Sequence, residues 1–453
     1  MDWGKLLSPK RLRKTTRSPN GDRRNDFESD YGRVVFSPAI RRMHDKTQVF
    51  PLTTDDNIHT RLTHSLEVAS VAQNMGVAVC IDKRFQKKLK AIKEDPMRIV
   101  PVILASTGLC HDIGNPPFGH YGEEVITNFF SDYFKRHKVL SKSERLDFTK
   151  FNGNAEGFRI LTKTQVLQDT YGLNLTIGTL SSFLKYPLLA NEIDQKGSKK
   201  KDKLGVFQSE KETVERIRQV TSLGLQRHPL SFLMEAADDI CYLIMDIEDG
   251  YKKRYYKAED VLTFMKENGN DSVRGFADEC SKGILKNLKS IYEETTKMVR
   301  LRVRLFTKLV NMACKEFLDK INEIEDGSYS GGLIMNEENG FGETLQYFCR
   351  EKIYAEPEIH SLELTGRSVL YGLLRHFVNG LMDTNASGWK QRAKKLQSVT
   401  SESIRTITEL ETHGKLEDCN KYFKLRLGVD HISGMTDSYA LNLYRKLEGM
   451  RLG

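Results

Sequence analysis

Residue types that bind metal ions crowd one short segment of the chain, GLCHDIGNPPFGHYGEE at positions 108–124. His111 and Asp112 are adjacent in it, and Gly114 and two prolines follow directly. Neighbouring side chains on a helix diverge by about 100°, so both can reach a single ion only where the helix ends. The pattern therefore predicts a helix that begins near Pro101 and ends at Gly114. His111 and Asp112 would lie in its last turn.

Further ligands for such an ion have to come from other helices. His64 lies four residues before Val68 in an apolar helical pattern, so the two side chains face the same buried side. Asp238 and Asp239 interrupt a second apolar helical pattern, at 230–247. A carboxylate inside such a helix needs a partner, because burying an unpaired charge is costly. One of the two aspartates is therefore expected to contact the ion.

Helical spacing helps to separate the two aspartates. Asp238 begins a polar stripe that continues with Tyr242 and Asp246 at i+4 and i+8. Asp239 lies on a different face, together with Glu235. With one of these carboxylates, the candidate set contains two imidazoles and two carboxylates. Such a mixed set suits Mn²⁺, Fe²⁺, Co²⁺, Ni²⁺ or Zn²⁺ and is less typical of Mg²⁺.

His120 and Glu123 follow the prolines with the spacing i, i+3. A helix that starts there would place both side chains on one face. A carboxylate beside an imidazole holds its tautomer and raises its pKa, which makes the imidazole a proton donor near neutral pH. The alternative is that Glu123 and Glu124 only stabilise the N-terminus of a helix.

Helical periodicity dominates the chain, and the alternation typical of strands is scarce. The chain is therefore expected to be all-α, apart from a short strand at 33–36, RVVF. Surface loops are expected at 195–209, which is rich in Lys, Gly and Ser, and at 326–340. Further helices are predicted at 211–223, 230–247, 282–320, 367–382, 390–412 and 436–449.

The cysteines and the apolar runs limit the cellular setting. Seven cysteines are scattered without a C-x-x-C pair, so they are expected to be reduced core residues and not disulfides or a zinc ribbon. No apolar run approaches the roughly 20 residues of a membrane span. The first residues also lack the apolar stretch of a signal peptide. We therefore expect a cytoplasmic protein without a membrane segment.

The charge balance leaves two interpretations open. Lys and Arg number 70 against 61 Asp and Glu, which gives a formal net charge of +9. The excess lies mostly in residues 10–24 and 196–203. Such runs favour polyanions such as nucleotides or nucleic acid, but a solvated tail and a solvated loop would carry the same charges.

The order H…HD…D along the chain resembles the signature of the HD-domain metal-dependent phosphohydrolases. Longer strings resemble the bacterial deoxyguanosinetriphosphate triphosphohydrolase family from about residue 26 to 447, more weakly at 265–425. They are RVVFSPAIRRMHDKTQVFPL, HTRLTHSLEV, HDIGNPPFGHYGEE, NAEGFRIL, LKYP, MEAADDICYLIMDIEDGY and GMTDSYALNLYRKL. One departure is IRRMH at 40–44, where the family usually has a string closer to FRRLQ.

This resemblance implies an all-α fold with an HD-domain helical core and an additional C-terminal helical region. We divide the chain into a basic N-terminal tail (1–25), the HD-domain catalytic core (26–260) and a helical region packed on that core (261–453). The implied metal ligands are His64, His111, Asp112 and Asp238, and the implied catalytic pair is His120 and Glu123. The implied substrate contacts are Gln48, Val49, Asn154, Lys185, Tyr186, Tyr242 and Asp246. Arg61 is added to this set as a candidate cation for the phosphates.

The family hydrolyses a deoxynucleoside triphosphate to the deoxynucleoside and inorganic triphosphate, and dGTP is the expected substrate. Mn²⁺ or Mg²⁺ is the expected metal, with Fe, Co, Ni or Zn as alternatives. His120 would protonate the sugar 5′ oxygen, which is worth about 10²–10⁴-fold in rate, while either water or His120 itself attacks the α-phosphorus. The candidate cations for the phosphates are Arg41, Arg42, Arg61 and Lys185.

Choice of a deoxy sugar requires a tight pocket around its 2′ and 3′ carbons. Tyr242 stacked on the sugar, with Asp246 or Gln48 accepting from the 3′ hydroxyl, would exclude an added 2′ hydroxyl sterically. The alternative is that Tyr242 is an ordinary core aromatic.

Two other functions remain open at this stage. One is an HD phosphodiesterase or nucleotidase that acts on another phosphate ester. The other is a nucleic-acid-binding protein with a degenerate HD site that uses its basic N-terminal run. The resemblance also implies a homo-oligomer, often a hexamer, and a response to single-stranded DNA or to a dNTP effector.

Overall fold

The computed structural model of the protein is almost entirely helical over the residues that it describes. They are residues 1–13, 22–53, 55–165, 169–193, 203–284, 293–336, 340–382, 387–412, 414 and 420–450. Within these ranges no β-strand occurs, only isolated bridges such as that between Thr47 and Thr60. The predicted all-α fold is confirmed. No helix in the described ranges combines the length and the apolar character needed to cross a membrane.

The start of the chain packs into the core. It forms α1 (Trp3–Leu6), α2 (Asp26–Val35) and α3 (Pro38–Arg42). Trp3 and Leu6 are buried, and the buried guanidinium of Arg11 pairs with Asp30 over 2.6 Å. A solvated tail is therefore wrong for residues 1–13, while residues 14–21 lie outside the described residues.

The strand expected at 33–36 is wrong, because that segment is the last turn of α2. The helix begins with a capping box, in which the side chains of Asn25 and Glu28 each accept from the backbone N–H of the other residue. Val34 faces the core and is fully buried. A start signal eight residues earlier thus outweighs the weak strand preference of two adjacent valines.

The central helices hold the segments that the sequence marks for chemistry. They are α4 (Arg61–Ile81), α5 (Lys83–Lys88), α6 (Pro96–Cys110), α7 (Gly119–Arg136), α8 (Lys142–Thr149), α9 (Gly153–Arg159), α10 (Ile177–Phe183), α11 (Ala190–Ile193), α12 (Lys211–Thr221) and α13 (Pro229–Lys252). Helices α4 and α6 pack closely and both contact α13. A Cβ added at Gly108 of α6 would lie 3.0 Å from the Cα of Ala69 in α4. This close, antiparallel approach brings His64 and His111 to the same end of the pair.

Helix α6 begins earlier than predicted. It starts at Pro96, after an N-cap in which the Asp95 side chain accepts from the backbone N–H of Met97. Pro101 lies inside the helix, where its backbone approaches Gly76 of α4 closely. The helix ends at Cys110 and a turn continues to Gly114. The predicted stop is therefore close to the observed one, whereas the predicted start is wrong.

Gly114 permits the turn that follows α6, and we predict that Gly114→Ala is destabilising. A Cβ at this position would overlap the backbone nitrogen of Gly157 and the backbone oxygen of Gly153. Forcing extra volume into such a contact costs about 1–3 kcal/mol, which thermal unfolding would detect. Gly275→Ala is the matched control, because no atom of the described residues lies within 4 Å of its added Cβ. That helical substitution should stabilise by about 0.5–1 kcal/mol; equal melting temperatures for both variants would contradict the argument.

The C-terminal helices complete the body. They are α14 (Ala258–Asn268), α15 (Asp271–Ile284), α16 (Glu293–Asp319), α17 (Ile321–Asp326), α18 (Phe341–Lys352), α19 (Pro357–Met382), α20 (Trp389–Val399), α21 (Glu402–Thr412), α22 (Lys421–Ser433) and α23 (Asp437–Leu447). Helices α16 and α18 pack on α13, and α19 packs on α7. One buried cluster runs from Trp3 to Ile359 across residue 260. The proposed domain boundaries therefore remain predictions.

The two segments that were expected to be surface loops are only partly exposed. Leu333 and Ile334 are buried within 326–340, and Leu204 and Val206 are buried within 195–209. Residues 195–202, which hold most of the second basic run, lie outside the described residues. The helix expected at 390–412 is two helices, α20 and α21.

The cysteines behave as predicted wherever the structure describes them. Six are buried and unpaired: Cys80, Cys110, Cys241, Cys280, Cys314 and Cys349. Cys419 lies outside the described residues.

Candidate metal centre and catalytic pocket

Three helices meet at the candidate metal centre. His64 lies in the first turn of α4, His111 directly follows α6, and Asp238 lies in the middle of α13. His64 Nε2 is 3.2 Å and His111 Nε2 is 3.3 Å from the same atom, Asp238 Oδ1. One ligand atom from each residue lies within 4.8 Å of the other two. A single ion placed between them would therefore contact all three side chains.

The unpaired histidine nitrogen fits a metal ion. His111 Nδ1 lies 2.7 Å from the carbonyl oxygen of Gly108, so we assign the ring proton to Nδ1, because a carbonyl can only accept. When the imidazole is neutral, as a metal ligand must be, its Nε2 therefore offers a lone pair on the side of Asp238. No group in the described part of the chain makes a hydrogen bond with this buried atom. Imidazole and carboxylate donors of this kind are typical ligands of divalent transition metals.

Asp112 lies beside this group and pairs with Arg61. Its Oδ2 is 3.5 Å from His111 Nε2 and also accepts a hydrogen bond from Arg61 Nη1. Burial disfavours the charged imidazole, but Asp112 and Asp238 outweigh it and raise the pKa of His111 well above its usual value. The two carboxylates thus make the centre attractive to positive charge. Coordination by Asp112 remains a prediction.

Helix α7 presents the predicted catalytic pair. His120 Nδ1 donates to Glu123 Oε2 over 3.1 Å, one helical turn away, as the spacing predicts. The other oxygen of Glu123 accepts from the backbone N–H of Gly153 at the start of α9, so the carboxylate is fixed. The His120 side chain is 78% exposed. The hydrogen bond with Glu123 is the main cause that raises the pKa of His120.

Two ion pairs share Glu235 on the other face of α13, the face on which helical spacing predicts this residue. Lys185 Nζ is 3.1 Å from Glu235 Oε1, and Arg227 Nη2 is 2.6 Å from Glu235 Oε2. Burial disfavours the charged lysine, but Glu235 and its neighbours outweigh it and raise the pKa of Lys185 above its usual value. Lys185 is therefore a permanent positive charge at neutral pH.

One cavity of about 550 Å³ connects these groups. His111, Asp112 and Asp238 line it on one side, and His120 lines it as well. All eight predicted substrate contacts line the same cavity: Gln48, Val49, Arg61, Asn154, Lys185, Tyr186, Tyr242 and Asp246. The structure therefore brings these eight residues together, although their binding roles remain predictions.

Comparison with known proteins agrees with this arrangement. A model of the HD domain matches residues 61–156. The chain is 35% identical to the deoxyguanosinetriphosphate triphosphohydrolase-like protein of Listeria innocua, over 99% of this chain and 100% of the relative. The like-named protein of Synechocystis sp. is 34% identical over the full length of both chains. This chain belongs to the deoxyguanosinetriphosphate triphosphohydrolase family.

The family includes relatives with the shorter name as well. The deoxyguanosinetriphosphate triphosphohydrolase of Salmonella paratyphi A is 31% identical to this chain, over 93% of each. The HD match contains the segments that carry His64, the His111–Asp112 pair and His120. Membership of an HD-domain hydrolase family implies a divalent metal, and the histidine and carboxylate donors described above fit one.

This triphosphohydrolase family member also builds its pocket from residues that the sequence did not single out. Gln346 of α18 donates to the Tyr242 hydroxyl over 3.2 Å, and the hydroxyl of Tyr354 donates to Asp246. Glu363 of α19 lines the same cavity. All three lie in the part of the chain with the weaker family resemblance. No local spacing marks them, because they meet their partners only across the fold.

Two of the arginines proposed for phosphate binding lie outside the cavity. Among the described residues, neither Arg41 nor Arg42 lines the cavity, whereas Arg61 and Lys185 do. Helix α3 turns Ala39 and Ile40 inward and buries them, so Arg41 is left exposed. A cation that the site predictions lacked, Lys203, lines the cavity and ends the second basic run.

Proposed function

We propose that this enzyme hydrolyses a deoxynucleoside triphosphate, with dGTP preferred, to the deoxynucleoside and inorganic triphosphate. The observation that carries the proposal is the single cavity. It joins a metal centre, an exposed histidine held by a carboxylate, and the cations Arg61, Lys185 and Lys203. The preference for dGTP is inferred from the names of the relatives.

The metal would be held by His64, His111 and Asp238, with Asp112 as the fourth ligand. Mn²⁺ or Mg²⁺ is the proposed ion; Fe, Co, Ni or Zn would suit the same donors. Such an ion polarises a phosphate oxygen and makes the α-phosphorus more electrophilic. Because His111 and Asp238 also line the cavity, the α-phosphate would lie on this side of it.

His120 would supply the proton that the leaving group needs. Water attacks the α-phosphorus, the bond between that phosphorus and the sugar 5′ oxygen breaks, and the 5′ oxygen takes a proton. Nδ1 of His120 is occupied by Glu123, so Nε2 is the nitrogen that can donate it. The hydrogen bond with Glu123 raises the pKa of His120, which favours the protonated form that a general acid needs.

Charged and polar side chains on the cavity wall would bind the phosphates. A nucleoside triphosphate carries about four negative charges, which Arg and Lys match best. Arg61 and Lys185 are each already paired with a carboxylate, Asp112 and Glu235. Those pairs fix the two cations in position at the cavity wall, and the phosphates would contact the donors that remain.

The sugar would lie against the polar stripe of α13. The Tyr242 ring lines the cavity, and its hydroxyl is held by Gln346. Asp246 is nearly fully buried, and its carboxylate accepts from Tyr354. Burial raises the pKa of Asp246 to about 7. These contacts hold the side chains of Tyr242 and Asp246 in place, and a 2′-deoxy sugar would stack on the Tyr242 ring.

We predict that Tyr242→Ala loses discrimination against the 2′ hydroxyl. Without the ring, space opens under the sugar, and the ratio of kcat/KM for dGTP over GTP should fall about 10- to 100-fold. Tyr242→Phe is the matched control, since it keeps the ring and loses only the contact with Gln346. Steady-state kinetics with both nucleotides measure the effect. An unchanged ratio in Tyr242→Ala would show that the ring does not select the sugar.

Product analysis tests the proposed reaction directly. The purified protein is incubated with Mn²⁺ and each of the four dNTPs or GTP, and the products are separated by ion-exchange chromatography. Deoxynucleoside and intact triphosphate are the expected products, and the panel ranks the bases. Pyrophosphate or single phosphates would indicate an HD phosphodiesterase or nucleotidase. No turnover, together with binding to single-stranded DNA, would favour the nucleic-acid-binding alternative.

The remaining predictions concern the setting of the enzyme. We propose a cytoplasmic homo-oligomer, with a hexamer as the expected form, that responds to single-stranded DNA or a dNTP. Size-exclusion chromatography with light scattering, with and without each ligand, tests the assembly. The same ligands added to the product assay test the response.

A further inference from the structure

The segment between α22 and α23 folds back onto the catalytic pocket. Asp437, the first residue of α23, is 1% exposed. Its Oδ2 accepts from both the backbone N–H and the hydroxyl of Thr47, the backbone bond over 3.0 Å. Its Oδ1 accepts from the backbone N–H of Phe118 over 2.9 Å. One carboxylate thus joins two segments that are far apart in the sequence.

Both segments carry residues of the pocket. Thr47 directly precedes Gln48, and Phe118 lies two residues before His120. Phe118 has φ +62° and Gly119 has φ +60°, so two successive residues are left-handed just before the histidine. Phe118 is also the N-cap of α7 and gives it no side-chain hydrogen bond. A bulky left-handed residue persists only where its surroundings hold it, and Asp437 provides that contact.

Neighbouring residues reinforce the same connection. Lys46 is buried, and its Nζ donates to the backbone oxygens of Asn115 over 2.5 Å and of Ser433 over 2.7 Å. The hydroxyl of Ser438 donates to Asp45 over 2.9 Å. Residues 45–47 therefore bind the 433–438 segment through three successive side chains. Two of the three also reach the 115–118 segment, directly or through Asp437.

We propose that Asp437 is a positioning residue that sets Gln48 and His120 relative to each other in the pocket. Its significance for catalysis rests on the proposed function, whereas the connection itself does not. The simpler alternative is that Asp437 only stabilises the N-terminus of α23 by its charge. That role would not require its carboxylate to receive donors from two other segments.

The first test is hydrogen–deuterium exchange of the Asp437→Asn variant, followed by mass spectrometry. An amide offers one acceptor oxygen where the carboxylate offers two, so the backbone N–H of Thr47, of Phe118 or of both is released. We expect at least tenfold faster exchange in peptides covering 45–49 and 116–121, with α4 and α13 unchanged. Asp271→Asn is the matched control, because Asp271 is an exposed first residue of α15. Exchange in both peptides at the wild-type rate would overturn the proposal, and so would uniformly faster exchange along the chain.

The second test uses kinetics of the same variant. We expect kcat for dGTP to fall about 10- to 100-fold, because a small displacement of a catalytic group has effects of this size, while Mn²⁺ affinity stays unchanged. Thr47→Val is a milder change that removes only the hydroxyl bond to Asp437. It should raise KM and speed exchange at 45–49 alone; an effect on kcat equal to that of Asp437→Asn would overturn the two-segment role. If the wild-type enzyme releases no triphosphate, the proposed function fails, and the exchange experiment still decides the connection.

Discussion

Asp238→Ala is expected to abolish triphosphate release and to weaken Mn²⁺ binding. Its Oδ1 is the atom that both His64 Nε2 and His111 Nε2 approach, at 3.2 and 3.3 Å. Loss of groups that merely orient metal ligands reduces affinity or activity about 10- to 100-fold. Removal of the central ligand should therefore reduce both the Mn²⁺ affinity and the rate of triphosphate release by more than about 10²-fold. Isothermal titration with Mn²⁺ and the ion-exchange product assay measure the two effects separately.

The adjacent aspartate provides the control. Asp239 lies on the other face of α13, near Lys185, and does not belong to the group of close ligand atoms found among the described residues. Asp239→Ala should therefore leave the Mn²⁺ affinity within about twofold of wild type. If Asp239→Ala weakened Mn²⁺ binding as much as Asp238→Ala does, the metal centre would be misassigned.

His120→Ala is expected to lower kcat by about 10²–10⁴-fold, the usual contribution of a general acid. The Mn²⁺ affinity should not change, because His120 is outside the metal-binding group. Steady-state kinetics with dGTP and titration with Mn²⁺ check the two parts. A variant that keeps more than a tenth of the wild-type kcat would exclude His120 as the proton donor.

The pH profile gives a sharper test of the pair. A general acid must be protonated, so kcat should fall as the pH rises through the pKa of His120. The hydrogen bond with Glu123 raises that pKa. In Glu123→Gln the pKa drops, and the alkaline limb of the kcat profile should move to lower pH. Glu124→Gln is the control: Glu124 bonds only to Asn128 in the described structure. A limb that shifted equally in both variants would favour the alternative that both acids simply stabilise the start of α7.

The parts of the fold that sequence could predict depend on short-range rules. The apolar stripe through Val68 has the helical period over the length of α4, and the stop after α6 follows from a glycine and two prolines. Two of the errors lie where two local signals compete. Asp95 and Pro96 begin α6 before Pro101, and Asn25 with Glu28 begins a helix that runs through the expected strand at 33–36.

Some contacts of the candidate site could likewise be predicted from local spacing, and others could not. His120 and Glu123 are one turn apart, so their contact follows from spacing alone. Spacing also places Asp238 and Asp239 on different faces of one helix, whereas the choice of Asp238 as the ligand came from the family resemblance. Seven of the eight substrate contacts came from the family resemblance and Arg61 from the charge of the phosphates, and all of them line one cavity.

Tertiary structure alone decided how these local pieces meet. Only packing brings together the three helices that carry His64, His111 and Asp238. The sequence determined an all-helical chain and a histidine–carboxylate pair on one helix, because each depends on neighbours within a few turns. It could not show that Tyr354 would bond Asp246, or that Asp437 would join Thr47 to Phe118. Those contacts join residues more than 100 positions apart. Such pairs form only once the helices have packed, so no local periodicity records them.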